Sequence, residues 1–275
     1  MKIYSIKNEY LKTNNIIGYL FYYSSDCSYS IELKENIDPY DMTIYFAAFT
    51  ERQIYTLGPD WSKRWVEMRI VPRDRQNLGA ILREAGLAEY DSHRLIVLSE
   101  GRCAQDDLSI SPISEDNLET WAKVRLERRI GLATPISNGR ILITLNDKTV
   151  RIADLKSLIG ETATKRSGLN DLLNDEAKLR NFKTITGGTG IAWDEDLYIM
   201  ADELTRYSTK CCIDSDDLRT IITGAVIDTA GLINEYGVSR QYINRITNDG
   251  ILPAIASHGR SMLYLKSDAE RVLRR

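Results

Sequence analysis

Histidine is nearly missing: the 275-residue chain has only His93 and His258. A tetrahedral zinc site needs more nitrogen or sulfur ligands than these two histidines and four scattered cysteines supply, so no metal and no cofactor is expected. A Ser-His-acid triad would have to use one of the two, and neither has a nucleophile-elbow motif nearby. Cys27, Cys103, Cys211 and Cys212 contain no Cys-x-x-Cys pair. Adjacent cysteines such as Cys211 and Cys212 rarely bridge each other, because the geometry is strained. Reduced thiols in a cytoplasm are the expectation. No apolar run approaches the roughly 20 residues that span a bilayer, and the first ten residues lack the apolar core of a signal peptide. A cytoplasmic protein without a membrane partner is expected. Gly187-Gly-Thr-Gly190 lacks the Gly-Lys-Ser/Thr of a phosphate loop, which leaves it as a turn.

What is present is an ordinary globular composition, 43% hydrophobic and 27% charged, in a chain long enough for two or three domains. The net charge of −3 is unevenly spread. Residues 225–275 carry seven Lys/Arg and five Asp/Glu, so the preceding 224 residues are the acidic part. A modestly basic C-terminal unit on an acidic body suits a DNA-binding head joined to other modules.

The most informative stretch is Leu232–Ala254, which reads as two short helices around a tight corner. Gly237 ends the first helix, where a residue tolerant of positive φ is needed. Val238 returns the chain to the core and Ser239 caps the next helix. Ile243 and Ile246 fall on one side of that helix. Arg240, Gln241, Asn244, Arg245 and Asn248 follow i, i+1, i+4, i+5, i+8 spacing and gather on the other. Two guanidinium forks and three amides are the groups that hydrogen-bond guanine and adenine edges, while arginine also clamps phosphates. Gly250 stops the helix and Leu252-Pro253 blocks its continuation. Two short strands then flank the basic tip Ser257-His258-Gly259-Arg260, and a closing helix begins near Ser267. Ser239 and Tyr242 are assigned to the DNA backbone, and His258 and Arg260 to the minor groove or a phosphate.

Helix, turn, helix, hairpin and helix in that order resemble the winged helix-turn-helix of the MerR and phage-excisionase superfamily. The residues that carry the resemblance are Gly237-Val-Ser-Arg-Gln241, Arg245, Gly250, Leu252-Pro-Ala254 and Gly259-Arg260. They cover about the last fifty residues, and they imply binding of double-stranded DNA.

Before residue 130 the chain alternates strand-like and helix-like segments. Lys2–Lys7, Ile16–Tyr23 and Tyr29–Leu33 read as strands. Asp60 is placed to cap a helix bearing Trp61 and Trp65. Asp74–Ala85 reads as another helix, and Ser114 caps a third that runs to about Arg129. Residues 99–107 concentrate Arg102, Cys103, Gln105, Asp106 and Asp107. This patch is either a ligand or partner site, with Arg73, Arg75 and Gln76 nearby, or a loop whose Arg and Asp groups cap neighbouring backbone. From Gly139 to Leu155 two alternating strands flank Asn146-Asp147-Lys148, and a second hairpin turns at Gly187-Gly188. Asp147, Asp154, Leu155, Leu172, Phe182, Trp193 and Leu204 make this region resemble a bacterial family known as domain of unknown function 2442. The resemblance implies an accessory of toxin–antitoxin-like or mobile-element operons. Asp194, Glu195 and Asp196 read as a solvated acidic turn.

The sequence therefore predicts an α+β, multidomain chain. Residues 1–130 form a domain of unknown role, 131–207 a small β-rich domain, 208–224 a linker and 225–275 a winged helix-turn-helix. The expected function is a sequence-specific DNA-binding transcriptional regulator of bacterial or mobile-element origin, with an autoregulating antitoxin as its biological role. No catalysis is expected. A protein-interaction adaptor, in which the C-terminal module binds a partner, and an enzyme centred on Arg102 to Asp107 are the competing classes. A protein partner or a homodimer would engage residues before 208, where Tyr22, Tyr23, Phe46 and Trp61 form either an exposed aromatic interface or, as is commoner for such residues, part of the core.

Overall fold

The computed structural model describes residues 1–13, 15–162, 168–194, 197–258 and 261–273. Helices and antiparallel sheets alternate in an α+β fold. The chain divides into two compact units, Met1–Lys210 and Cys211–Arg275. Among the described residues no helix is long and apolar enough to cross a membrane.

The first unit opens with β1 (Lys2–Asn8), β2 (Ile16–Tyr23), β3 (Ser28–Leu33), α1 (Ile44–Thr50), β4 (Thr56–Leu57), α2 (Pro59–Glu67), α3 (Leu78–Glu84), α4 (Ser92–Leu98), β5 (Leu108–Ile113) and α5 (Thr120–Glu127). The strands form one sheet in the order β4-β3-β2-β1-β5, antiparallel throughout. β2 is buried from Ile17 to Tyr23 because both faces of the sheet are covered. Alternation sorts its side chains between them. Leu20 and Tyr22 join Tyr4, Phe46, Trp65 and Ile96 on one face. Tyr19, Phe21 and Tyr23 meet Leu118 and Ala122 on the other.

That two-sided cover decides between core and interface for the four aromatic candidates. Tyr22, Tyr23 and Phe46 are core residues, and only Trp61 reaches the surface, where the Arg64 guanidinium stands 4.9 Å from its ring centroid. Helix starts differ as well. Gly58 is the cap of α2 with Pro59 behind it, so Asp60 lies one residue inside; proline at the first helical position has no N–H that needs a cap. α3 starts after Asn77, four residues later than the acidic signal suggested. Ser114 opens only a short 3₁₀ turn, and α5 begins after Glu119.

The unit continues with β6 (Ile130–Pro135), β7 (Arg140–Leu145), β8 (Thr149–Asp154), α6 (Leu155–Thr162), α7 (Leu169–Leu173), α8 (Glu176–Arg180), β9 (Lys183–Thr184), β10 (Gly190–Ala192), β11 (Tyr198–Met200) and α9 (Ala201–Arg206). β6, β7 and β8 are an antiparallel meander. Ile141, Ile143 and Leu145 alternate inward from β7 to meet Leu155, Leu158, Leu179 and Ile191. Gly187 and Gly188 have φ of 78° and 70°. A Cβ on Gly188 would stand 2.3 Å from the Ile130 carbonyl oxygen, and one on Gly187 would stand 2.2 Å from the Tyr23 hydroxyl. Glycine here satisfies both a left-handed backbone and a close approach.

The expected boundary near residue 130 falls inside this unit, and a buried ionic network beside it reaches across through the Gly187 carbonyl. Arg129, directly after α5, donates to Glu32 Oε1 at 2.7 Å, to the Tyr23 hydroxyl, and to the Gly187 carbonyl at 3.3 Å. Arg125 bonds the Leu33 carbonyl and Glu35, and Thr56 Oγ1 donates to Glu32 Oε2 at 2.8 Å. Burial works against the Arg129 charge, but Glu32 and Tyr23 outweigh it and raise the guanidinium above its ordinary pKa.

β12 (Ser208–Asp214) and α10 (Ser215–Ala225) occupy the stretch expected as a linker. The Asp214 side chain accepts from the amides of Asp216 and Asp217, and Asp217 bonds back to the Asp214 amide. This capping box starts α10 at Ser215.

The second unit adds β13 (Val226–Asp228), α11 (Thr229–Tyr236), α12 (Arg240–Asn248), β14 (Ala254–His258), β15 (Ser261–Leu265) and α13 (Lys266–Leu273). Its strands lie in the order β13-β15-β14. Ile227, Leu232, Ile243, Ile246, Leu252, Tyr264 and Ala269 form its core, to which β13, α11, α12, β15 and α13 all contribute. β15 runs straight into α13, which places Ser267 inside the first turn rather than at the cap.

Candidate nucleic-acid interface

The corner between α11 and α12 is built from local signals. The Asp228 side chain accepts from the Gly231 amide at 2.7 Å and starts α11. Gly237 ends it in the left-handed conformation, φ 67° and ψ 20°, with its amide bonded to the Ile233 carbonyl. Val238 is half-buried against the core. The Ser239 hydroxyl oxygen then accepts from the Tyr242 amide at 3.2 Å and caps α12. At the far end Gly250 has φ 71°, and Leu252 is buried.

α12 has two opposed faces. Ile243 and Ile246 are fully enclosed, and Thr247 on their margin donates to the Ile243 carbonyl and reaches the Tyr264 hydroxyl at 3.2 Å. At about 100° per residue, Arg240, Asn244, Asn248, Gln241 and Arg245 spread over an arc of roughly 140° on the opposite side. All five are exposed. The helix contains two arginines and no carboxylate. The Arg245 guanidinium stands 5.2 Å from the Tyr242 ring centroid, which braces an otherwise floppy side chain. The nine residues of α12 span about 13 Å, comparable with the roughly 12 Å width of a major groove.

The structure therefore brings Arg240, Gln241, Tyr242, Asn244, Arg245 and Asn248 together on one exposed helix, with Ser239 at its cap. His258 is the last residue of β14 and pairs in register with Ser261. Arg260 lies outside the described residues, as do Gly259, Glu195 and Asp196.

The polar patch of the first unit resolves differently. Arg102 makes a two-pronged ion pair with Glu9 and a further one with Glu100. The hydrogen bonds to Glu9 raise the pKa of Arg102 and lower that of Glu9. Asp106 pairs with buried Arg69 and caps the Leu108 amide. Gln105, Asp106 and Asp107 line one cavity, whereas Arg73 lies over the Tyr90 ring in another, and Arg75 bonds Asn77. Sequence reasoning missed the residues that complete the first cavity, Tyr10, Tyr40, Ile44, Trp65 and Arg69 among them. They come from separate segments, and no local pattern links them.

All four cysteines are free, and among the described residues no group of three or more His, Cys, Asp or Glu side chains forms a metal-sized cluster. No protein-family model, curated protein or solved structure matches the chain.

Proposed function

We propose that the second unit is a winged helix-turn-helix that binds double-stranded DNA, with α12 as the helix that enters the major groove. Within that class the chain acts as a sequence-specific transcriptional regulator of bacterial or mobile-element origin, in the manner of an autoregulating antitoxin. The observation that carries the reading is the exposed face of Arg240, Gln241, Asn244, Arg245 and Asn248 on a helix whose other side is locked into a core. Amides and guanidinium groups at this spacing match base edges, and arginine at the helix start can also bond phosphate. The β14–β15 hairpin, in which His258 ends the first strand, is the wing. Selection of bound sequences from a random duplex pool with the full chain tests the proposal. A shared motif is the expected result, and a pool that stays random would remove sequence reading.

A second reading, a protein-interaction adaptor, is favoured by one observation. Ile251 and Ile255 in the same unit are about half exposed, and exposed apolar groups suit a protein partner better than a phosphate backbone. Saturable capture of a partner protein by the full chain, undiminished by competing duplex, would favour it.

A further inference from the structure

The three most exposed large apolar side chains among the described residues are Tyr40 at 98%, Ile44 at 91% and Tyr10 at 80%. They come from two separate segments, yet all three line one cavity of about 720 Å³ within the first unit. Scattered apolar groups on a surface are ordinary, but their convergence on a concavity of ligand size is not. The cavity walls include Met42, Met68 and Tyr45. Tyr45 is held in place by donating its hydroxyl to the Trp61 carbonyl at 2.6 Å.

The floor has unusual polarity. Trp65 is fully buried and Arg69 nearly so, and the indole Nε1 and guanidinium Nε both lack a hydrogen-bond partner. Such unmatched buried donors are rare in folded proteins. Among the described residues Arg69 is the one cation lining the cavity, and its charge is already engaged. Its terminal nitrogens bond the Asp106 carboxylate and the Gly101 carbonyl, and its guanidinium lies 4.2 Å from the Trp65 ring centroid. Two further lining carboxylates, Asp41 and Asp107, form no ion pair among the described residues.

A cavity with a neutralised cation, two uncompensated carboxylates and three tyrosine rings attracts positive charge carried on an apolar body. Aromatic faces hold cations through their quadrupole, and the carboxylates add long-range attraction. We propose that this cavity binds a small organic cation with an apolar or aromatic body, with Tyr10 and Tyr40 closing against its rim. The proposal is independent of the DNA reading, because all its residues belong to Met1–Lys210.

Calorimetric titration of the full chain with benzyltrimethylammonium, and with toluenesulfonate as an anion of similar size, tests it. The cation should bind saturably at one site, with the sulfonate at least about tenfold weaker. The double variant Tyr10→Ala/Tyr40→Ala should lose roughly tenfold or more in cation affinity. Tyr40→Phe, which retains the ring, should bind as the parent does, and Asp107→Asn should weaken the cation selectively. Both tyrosines are mostly exposed, so an unchanged thermal transition in the variants will exclude unfolding as the cause. Absence of cation binding, equal affinity for the two ions, or an unaffected double variant would each overturn the proposal.

Discussion

The two units are stabilised on different length scales. In Cys211–Arg275 the corner that presents α12 is set by bonds between near neighbours: Asp228 to the Gly231 amide, Ser239 to the Tyr242 amide, and Gly237 in the left-handed conformation. In Met1–Lys210 the decisive polar contacts join residues that are far apart in sequence. Arg129 reaches Glu32 across 97 positions, and Arg69 reaches Asp106 across 37. A unit of the first kind can devote its surface polar groups to a partner, since few of them hold the fold. A unit of the second kind has committed many of its charges to its own interior.

The largest expected effect of breaking that contrast is at Arg129. Arg129→Ala removes the shorter of two ion pairs to buried Glu32 and leaves only Arg125 at 3.5 Å, which should lower stability by about 3 kcal/mol in urea unfolding. The pair replaced together by apolar residues, Arg129→Met with Glu32→Leu, should recover most of that loss, because the cost lies in the stranded charge. Equal destabilisation in single and double variants would show that the network is not electrostatic in origin.

A smaller effect is expected at the local caps. Ser239→Ala should cost about 1 kcal/mol, seen as roughly fivefold faster hydrogen exchange at the Tyr242 amide. Unchanged exchange there would mean that packing alone holds the start of α12.

The smallest effect concerns pH and the first unit. Burial is the main cause holding His93 below its ordinary pKa; Lys2 and Arg94 push the same way and Asp91 opposes them. Its ring stacks on Tyr22 at 3.9 Å, and Nε2 lies 2.8 Å from the Tyr4 hydroxyl. Between its folded pKa and the unfolded value of about 6.5, the native state therefore binds fewer protons than the unfolded chain. The stability due to neutral His93 is fully present above that pH and is lost as pH falls through the folded pKa. Urea midpoints from about pH 7.5 down to 5 should fall for the parent and fall less steeply for His93→Gln. Parallel slopes would assign the acid sensitivity to other groups.

The same contrast explains what was legible in the sequence. Gly237, Ser239, Ile243, Ile246 and Gly250 announce their roles within a few residues of one another, and the structure gives each the local role expected. The Asn146–Lys148 and Gly187–Gly188 turns were legible for the same reason. The aromatic residues of β2 stayed open between core and interface, because nothing in Tyr22 or Tyr23 says that Phe46 and Trp65 will cover one face of the sheet and α5 the other. Residues 208–224 passed for a linker because their polar composition hid the reciprocal bonds of Asp214 and Asp217. The cavity of the first unit was only half visible. Gln105, Asp106 and Asp107 stood out as a patch, but Tyr40 and Ile44 lie about sixty residues earlier and meet them only in the fold.

The claim that matters most is that α12 reads DNA, and one measurement tests it directly. Fluorescence anisotropy gives the affinity of the full chain for a selected duplex and for a scrambled duplex at fixed salt, with the parent and with Gln241→Ala and Asn244→Ala. Both amides are uncharged and exposed, so each substitution should weaken the selected duplex by about 1–3 kcal/mol and leave the scrambled one nearly unchanged. Equal losses on both duplexes, or no loss on either, would contradict the assignment of α12 as the helix that reads bases.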